Sequence, residues 1–222
     1  MALFQDRREA GRALAGKLRG HANRPGRVVL ALPRGGVPVG FEVARELHAP
    51  LDVFVVLKLG LPGHEELAMG ALATGGVRVI NHDLVRALRL PETVVEAVTA
   101  RERLELERRE RLYRGERPPL DVSGRTVILV DDGVATGSSM RAAVVALRQR
   151  RPERIVVAVP VGPPETCAAL QEEAEEVICA NSPVDFDAVG QSYDDFSQTT
   201  DAEVTELLER AAADHVSTAA FD

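Results

Sequence analysis

Short runs in which every residue is apolar most constrain how this chain can fold. The runs lie at residues 28–32, 53–57, 127–130, 155–161 and 177–180. A strand that is apolar throughout must be covered on both faces, as in the parallel sheets of α/β proteins. Segments with helical spacing of apolar residues separate them, at about residues 36–49, 138–150 and 164–175. This alternation predicts an α/β fold with a central, mainly parallel sheet flanked by helices.

The middle of the chain departs from that alternation. Residues 67–73 and 77–80 are joined by Thr74-Gly75-Gly76, which predicts an antiparallel hairpin at one side of the sheet. Residues 83–117 form a charged arm rich in Arg and Glu, which favours a helix supported by i,i+4 charge pairs. We interpret the arm as a solvated helix, with one alternative, that it carries an arginine to a phosphate.

The length of 222 residues suits a single domain with a sizeable core. We expect one domain over residues 1–222, with a core at about 26–181. The terminal segments, about 1–25 and 182–222, would form a small hood. Apolar residues at helical spacing also predict a helix within residues 197–222.

Charge is unevenly distributed along the chain. Residues 171–222 hold 14 Asp/Glu and one Arg, a net −13, whereas residues 1–170 hold 20 Asp/Glu and 26 Lys/Arg, a net +6. A basic body with an acidic tail argues against a nucleic-acid binder but allows a local pocket for an anionic substrate.

The cysteines and the apolar runs bear on compartment and metal content. Cys167 and Cys179 have no CxxC partner, so we expect neither a disulfide framework nor a zinc site. No apolar run reaches 18 residues, and the N-terminus becomes charged at once. We therefore predict a cytoplasmic protein without a membrane segment.

The most informative stretch is Val127-Ile128-Leu129-Val130-Asp131-Asp132-Gly133-Val134-Ala135-Thr136-Gly137-Ser138-Ser139. A buried strand would end in two adjacent carboxylates, followed by a small, hydroxyl-rich loop and a helix. Small residues let backbone N–H groups approach a phosphate, and the helix N-terminus favours negative charge. Asp131 and Asp132 would accept hydrogen bonds from sugar hydroxyls or metal-bound waters. At the carboxyl edge of a parallel sheet, this is where ligands bind.

This stretch resembles the phosphoribosyl-pyrophosphate (PRPP) signature of type I phosphoribosyltransferases. The resemblance implies that fold, with its antiparallel hairpin and hood. It assigns Asp131 and Asp132 to the ribose hydroxyls, and to a Mg²⁺ ion through water or substrate. The 5′-phosphate would be bound by the loop of Gly133, Val134, Ala135, Thr136, Gly137, Ser138 and Ser139.

Three further segments fit the same family in chain order. Arg34, Gly35 and Gly36 follow the first strand, where the family has its pyrophosphate loop, and relatives often have a cis peptide there, for which we select Pro33–Arg34. Lys58, one of only two lysines, corresponds to a basic residue that faces the pyrophosphate. Phe186 lies in a segment similar to the hood of purine-salvage members and is the candidate for stacking on the base, with core packing as its alternative.

The match to the family is incomplete at Ala135. Hypoxanthine–guanine members have an Asp there, and alanine cannot transfer a proton. The acid/base residue is therefore not identified. The candidates for entering the site from the charged arm are Arg101, Arg111, Tyr113 and Arg114.

The resemblance implies a Mg²⁺-dependent enzyme that transfers ribose 5-phosphate from PRPP to a base or another nitrogen nucleophile, as in nucleotide salvage. The expected partners are PRPP and a small-molecule acceptor, with no membrane and no nucleic acid. A homodimer stays open. The alternative is a regulatory protein that senses PRPP or a nucleotide on the same fold without catalysis.

Overall fold

A five-stranded parallel sheet lies at the centre of the computed structural model, which describes residues 2–219. In chain order the strands are β1 (Arg27–Ala31), β2 (Leu51–Val53), β3 (Val56–Leu61), β4 (His64–Ala73), β5 (Val77–Ile80), β6 (Thr126–Val130), β7 (Arg154–Val161) and β8 (Glu176–Asn181). The parallel sheet has the spatial order β2-β1-β6-β7-β8, and a second, antiparallel sheet has the order β3-β4-β5. The predicted α/β class is confirmed.

Helices cover both faces of the parallel sheet. They are α1 (Arg7–Lys17), α2 (Gly36–Leu47), α3 (His82–Ala87), α4 (Glu92–Arg114), α5 (Ser138–Arg148), α6 (Pro164–Leu170) and α7 (Asp201–Ala219). Val29 and Ala31 of β1 share a buried cluster with α1, α2 and α7, whereas Val28 and Leu30 face α5 and α6. Burial of successive residues on opposite faces explains why the strands are continuously apolar.

The apolar run at residues 53–57, predicted as one strand, is divided between the two sheets. Strand β2 ends at Val53, and β3 begins at Val56. Between them, the Phe54 N–H donates to the Ala31 carbonyl at 2.9 Å, and the Val55 N–H donates to Thr74 Oγ1 at 2.9 Å. These bonds turn the chain out of the parallel sheet into the antiparallel one. The predicted hairpin is confirmed as β4 and β5, with β3 as a third strand.

The charged arm contains two helices, α3 and the 23-residue α4. The C-terminal end of α4 is fixed to the parallel sheet by Arg114, whose Nε lies 2.8 and 2.9 Å from the two carboxylate oxygens of Asp52 in β2. Both side chains are buried, and the Leu120 N–H also donates to Asp52 at 3.0 Å. The interpretation of the arm as a solvated helix therefore holds for only one face of α4, because Val95, Val98 and Leu106 are buried in the core.

The expectation that the cysteines form no disulfide was wrong. Cys167 in α6 and Cys179 in β8 are joined, with their Cα atoms 6.4 Å apart. Because α6 leads directly into β8, residues that are 12 positions apart in sequence pack side by side. Within residues 2–219, no helix combines the length and apolar character needed to cross a membrane.

Candidate functional site

The Asp pair lies where the sequence predicted it, directly after β6 at the carboxyl edge of the parallel sheet. The Asp132 N–H donates to Asp131 Oδ1 at 2.8 Å, so the two carboxylates are held at different orientations. Asp131 lines an open cavity of about 170 Å³ together with the loop from Gly133 to Met140. The cavity ends at the N-terminus of α5, which is suited to an anion.

Hydrogen bonds to its backbone hold the loop between β6 and α5 in place, while its hydroxyl groups remain exposed. The Val134 N–H donates to the Val161 carbonyl at 3.0 Å, and Thr166 Oγ1 donates to the Ala135 carbonyl at 2.7 Å. Gly137 has a φ of +75°, a conformation that other residues rarely adopt. The exposed hydroxyl side chains are those of Thr136, Ser138 and Ser139.

The loop that carries Arg34 packs directly against the Asp pair. The Pro33–Arg34 peptide is cis, as selected from the sequence. A Cβ atom on Gly35 would lie 2.0 Å from Asp132 Oδ2, and one on Gly36 would lie 2.9 Å from the Asp131 Cα. Only glycine allows this approach, so two motifs almost 100 residues apart in sequence meet at one edge of the sheet.

Burial dominates the electrostatics of the Asp pair. It raises the pKa of Asp131 well above the ordinary value, and the neighbouring charge of Asp132 raises it further. Burial also raises the pKa of Asp132, but the hydrogen bond and positive charge of Arg7 oppose that effect. Two adjacent carboxylates in a partly dry site therefore favour a cationic or hydroxyl-donating ligand.

Arg7 is the site residue that sequence reasoning missed. Its Nε lies 2.7 Å from Asp132 Oδ2, and its Nη1 donates to the Ser197 carbonyl at 2.7 Å. In the sequence it is one of two adjacent arginines in the first, charged turn of a helix. No local pattern marks its contact with Asp132, because 125 positions separate the two residues.

The N-terminal segment reaches the site by pairing with the chain around Tyr193. The Leu3 and Phe4 N–H groups both donate to the Ser192 carbonyl at 3.0 Å, and the Asp194 N–H donates to the Phe4 carbonyl at 2.9 Å. The Tyr193 hydroxyl donates to the Asp132 carbonyl, which joins this pairing to the end of β6. Residues from the two terminal segments therefore lie together beside the Asp pair.

Arg34 and the charged arm are connected through Asp201. Arg34 Nη1 lies 3.8 Å from Asp201 Oδ1, which accepts a 2.7 Å hydrogen bond from the Tyr113 hydroxyl. Burial and this hydrogen bond raise the pKa of Tyr113 to about 12. Of the candidates on the charged arm, Tyr113 therefore lies near Arg34, whereas Arg114 forms a buried ion pair with Asp52.

For the other predicted site residues, all within the described part of the chain, the structure shows their exposure and packing but no contact with the Asp pair. Lys58 is an exposed residue of β3, two positions after the start of that strand, and its pyrophosphate role stays a prediction. Arg101 and Arg111 are exposed on α4. Phe186 is half-buried against the small cluster of Phe4, Ala10, Val161 and Tyr193, so its surroundings combine core packing with partial access.

Mg²⁺ requires oxygen ligands and usually keeps several waters. Among the described residues, no group of three or more His, Cys, Asp or Glu side chains is arranged to hold a metal ion. Asp131, which lines the open cavity, supplies carboxylate oxygens that fit a hydrated Mg²⁺ also bound to substrate oxygens. The metal role of Asp131 and Asp132 stays a prediction.

Comparisons with known proteins agree with this geometry. The profile of the phosphoribosyl transferase domain matches residues 4–195. Two Mycobacterium tuberculosis proteins, from strains CDC 1551 and H37Rv and provisionally named phosphoribosyl transferases, are each 46% identical over 224 residues. The match covers 100% of this chain but 50% of each relative, so the chain spans about half the length of the curated relatives it matches.

A solved structure is similar over nearly the whole chain. Protein TT1426 from Thermus thermophilus superposes with a TM-score of 0.84 at 45% sequence identity, covering 95% of this chain and 99% of that one. A shorter match links 44% of this chain to 58% of the bifunctional protein PyrR of Halalkalibacterium halodurans, at 31% identity over 105 residues.

Proposed function

Because the chain belongs to the phosphoribosyl transferase family, we propose that it transfers the 5-phosphoribosyl group of PRPP to a nitrogen nucleophile and releases pyrophosphate. The observation that carries the proposal is the packing of the Pro33–Gly36 loop, through its two glycines, against Asp131 and Asp132. This packing supports a single site with a guanidinium, two carboxylates and an anion-binding helix N-terminus.

Each part of the site has a task in that reaction. The hydroxyls of Thr136, Ser138 and Ser139, with the N-terminus of α5, would bind the 5′-phosphate. Asp131 and Asp132 would accept hydrogen bonds from the ribose hydroxyls. Arg34 would bind the pyrophosphate, with the backbone of Gly35 and Gly36 close to it and Lys58 as a second cation. Phe186 would stack on an aromatic acceptor.

In the transfer, the C1–O bond of the ribose breaks and its electron pair leaves with the pyrophosphate. The acceptor nitrogen forms the new C1–N bond and gives up its proton to the released pyrophosphate or to water. Positive charge develops on the ribose ring, so carboxylates next to the ring stabilise the transition state more than the ground state.

Asp131 and Asp132 are the residues that would hold Mg²⁺, through water or through substrate oxygens. When bound, the ion would offset the charge of the leaving pyrophosphate. Loss of PRPP affinity on removal of Mg²⁺ with a chelator is therefore expected.

The alternative is a protein that binds PRPP or a nucleotide as a signal. Ala135 leaves it open, because the phosphate loop provides no group there that transfers a proton. The family resemblance sets aside only the hypoxanthine–guanine members on this ground, since adenine and uracil members tolerate alanine at that position. Arg34 and the Asp pair favour the enzyme, because a sensor has less need of residues that act on the leaving group.

Two measurements test these proposals. Titration calorimetry with PRPP and Mg²⁺ should show binding by the wild-type protein and a strong loss in Asp131→Asn, whereas unchanged affinity in that variant would overturn the site assignment. The exposed Asp187 supplies the matched control, Asp187→Asn, which should bind like the wild type.

Incubation of radiolabelled PRPP with a panel of purine, pyrimidine and other nitrogen acceptors separates the enzyme from the sensor. Formation of a labelled nucleotide together with pyrophosphate supports transfer. Tight PRPP binding without product from any acceptor would favour the sensor.

A further inference from the structure

Arg7 connects three parts of the site through one side chain. Its guanidinium contacts the carboxylate of Asp132 and the carbonyl of Ser197, and it lies over the ring of Phe196 at 4.0 Å from the ring centre. The side chain is only 12% exposed. A nearly buried arginine with two short polar contacts and a ring beneath it is held in one orientation.

These contacts distinguish the two carboxylates of the Asp pair. Asp132 Oδ2 accepts a hydrogen bond from Arg7, and the carbonyl of Asp132 accepts one from the Tyr193 hydroxyl. Asp131 instead lines the cavity formed by the phosphate-loop residues. One carboxylate is therefore fixed from the terminal segments, and the other faces the space available to a ligand.

The N-terminal end of α1 is built to present Arg7 at this place. Asp6 caps the helix by accepting a 2.7 Å hydrogen bond from the Glu9 N–H, and Phe4 is buried next to Tyr193. The capping bond, which spans Arg7, and the buried aromatic before it fix the path of the chain at Arg7.

We propose that Arg7 is a positioning residue for PRPP binding, which fixes Asp132 through Oδ2 and holds the segment 192–197 against the site, so that Asp131 and the other carboxylate oxygen of Asp132 are presented to the ribose hydroxyls. This inference rests on the proposed function. It assigns a role to the N-terminal segment that the PRPP signature itself does not contain.

The test is a double-mutant cycle for PRPP affinity measured by calorimetry with Mg²⁺. We expect Arg7→Met to weaken binding about tenfold in the wild-type background, but less than about twofold in an Asp132→Asn background, because coupled residues are not additive. Arg7→Lys should recover part of the loss. The neighbouring Arg8 is exposed, and Arg8→Met should bind like the wild type.

A purely structural role predicts a different pattern. Arg7→Met would then weaken PRPP binding by the same factor in both backgrounds, and the loss of affinity would parallel a fall in melting temperature. That result would overturn the inference. If Arg7→Met does not fold, Phe196→Leu removes the ring beneath the guanidinium and keeps the charge. It should weaken PRPP binding less than Asp132→Asn does, and unchanged affinity would count against the inference.

The result for the wild-type protein separates this inference from the proposed function. If the wild type binds PRPP and Arg7→Met matches Arg8→Met, only the role of Arg7 is overturned. If the wild type does not bind PRPP, the proposed function fails and the role of Arg7 fails with it.

Discussion

Single residues determine how closely the Pro33–Gly36 loop approaches the Asp pair. Gly35 has space for a hydrogen atom and no more, since a Cβ there would lie 2.0 Å from Asp132 Oδ2 and 3.1 Å from Arg7 Nε. Either the carboxylate or the loop must move if this glycine is replaced. Glycine is needed here for close approach and not for its φ, which is −60°.

Gly35→Ala should therefore displace Asp132 or the loop and weaken PRPP binding by at least about tenfold, a cost of about 1.4 kcal/mol. Calorimetry with PRPP and Mg²⁺ measures the loss. Gly16→Ala is the matched control, because nothing lies within 4 Å of its added Cβ and alanine favours the helix. Equal affinity of Gly35→Ala and wild type would contradict the packing at Gly35.

Because burial disfavours the charged form of Asp131, we expect its ionisation to destabilise the folded protein without ligand, and this destabilisation depends on pH. Its pKa is raised in the folded protein by burial and by Asp132, so folding disfavours the ionised form. The folded state is favoured by protonation at low pH, and this stabilisation is lost as the pH rises from the ordinary to the raised pKa. Asp131→Asn should thus raise the melting temperature at pH 7, by about 2–4 °C for each kcal/mol gained in the free energy of unfolding.

The gain in melting temperature from Asp131→Asn should shrink when thermal unfolding is repeated near about pH 4, where the acid is protonated. Asp187→Asn, at an exposed position, should show no comparable gain. A stabilisation that is the same at both pH values would mean that removal of the buried charge is not its cause.

At the scale of elements, α4 adds a buried ion pair at its C-terminal end to the apolar face that it packs into the core. Arg114 contacts Asp52, Glu110 and the carbonyl of Val53, and its side chain is 4% exposed. The same carboxylate of Asp52 receives the Leu120 N–H after the helix. The arm and the loop after it are thereby fastened to the edge strand β2.

Arg114→Met should lower the free energy of unfolding by about 3–5 kcal/mol, because Asp52 would stay buried without its cation. Urea denaturation followed by circular dichroism measures this loss. Arg111→Met, three positions earlier and exposed, should change stability by less than about 0.5 kcal/mol. A loss of similar size in both variants would contradict the role of the pair.

The disulfide between α6 and β8 makes a second prediction about elements. It closes a loop with a sequence separation of 12 residues, which in the chain-entropy account stabilises the fold by about 3 kcal/mol. Reduction should lower the denaturation midpoint of the wild type but not of Cys167→Ser/Cys179→Ser. Two free thiols in the unfolded, unreduced protein would show that the bond is absent.

At the scale of the whole molecule, the basic body and the acidic C-terminal part meet around the site. Arg7 and Arg34 come from the body, whereas Asp201 and the Ser197 carbonyl come from the acidic part. Folding therefore brings some basic residues of the body next to acidic residues and carbonyl groups of the C-terminal part. Within residues 171–219, the acidic residues are spread over the segment before β8, β8 itself, the segment after it and α7.

The amino-acid sequence alone determined the layered α/β architecture and the position of the Asp pair at a strand end. It did so because continuous apolar strands and a helix after a small, hydroxyl-rich loop are local patterns, readable without knowing what packs where. The hairpin and the long charged helix were also predicted correctly, and so was the cis peptide between Pro33 and Arg34, which the family resemblance implied.

Only the tertiary structure decided the contacts made between distant segments. The run at residues 53–57 was misjudged because bonds from Phe54 to β1 and from Val55 to Thr74 divide it between two sheets. The disulfide was missed because spacing does not show that α6 packs beside β8. Arg7 resembles other charged residues of a surface helix until the fold places it 2.7 Å from Asp132, since long-range pairing leaves no trace in local composition.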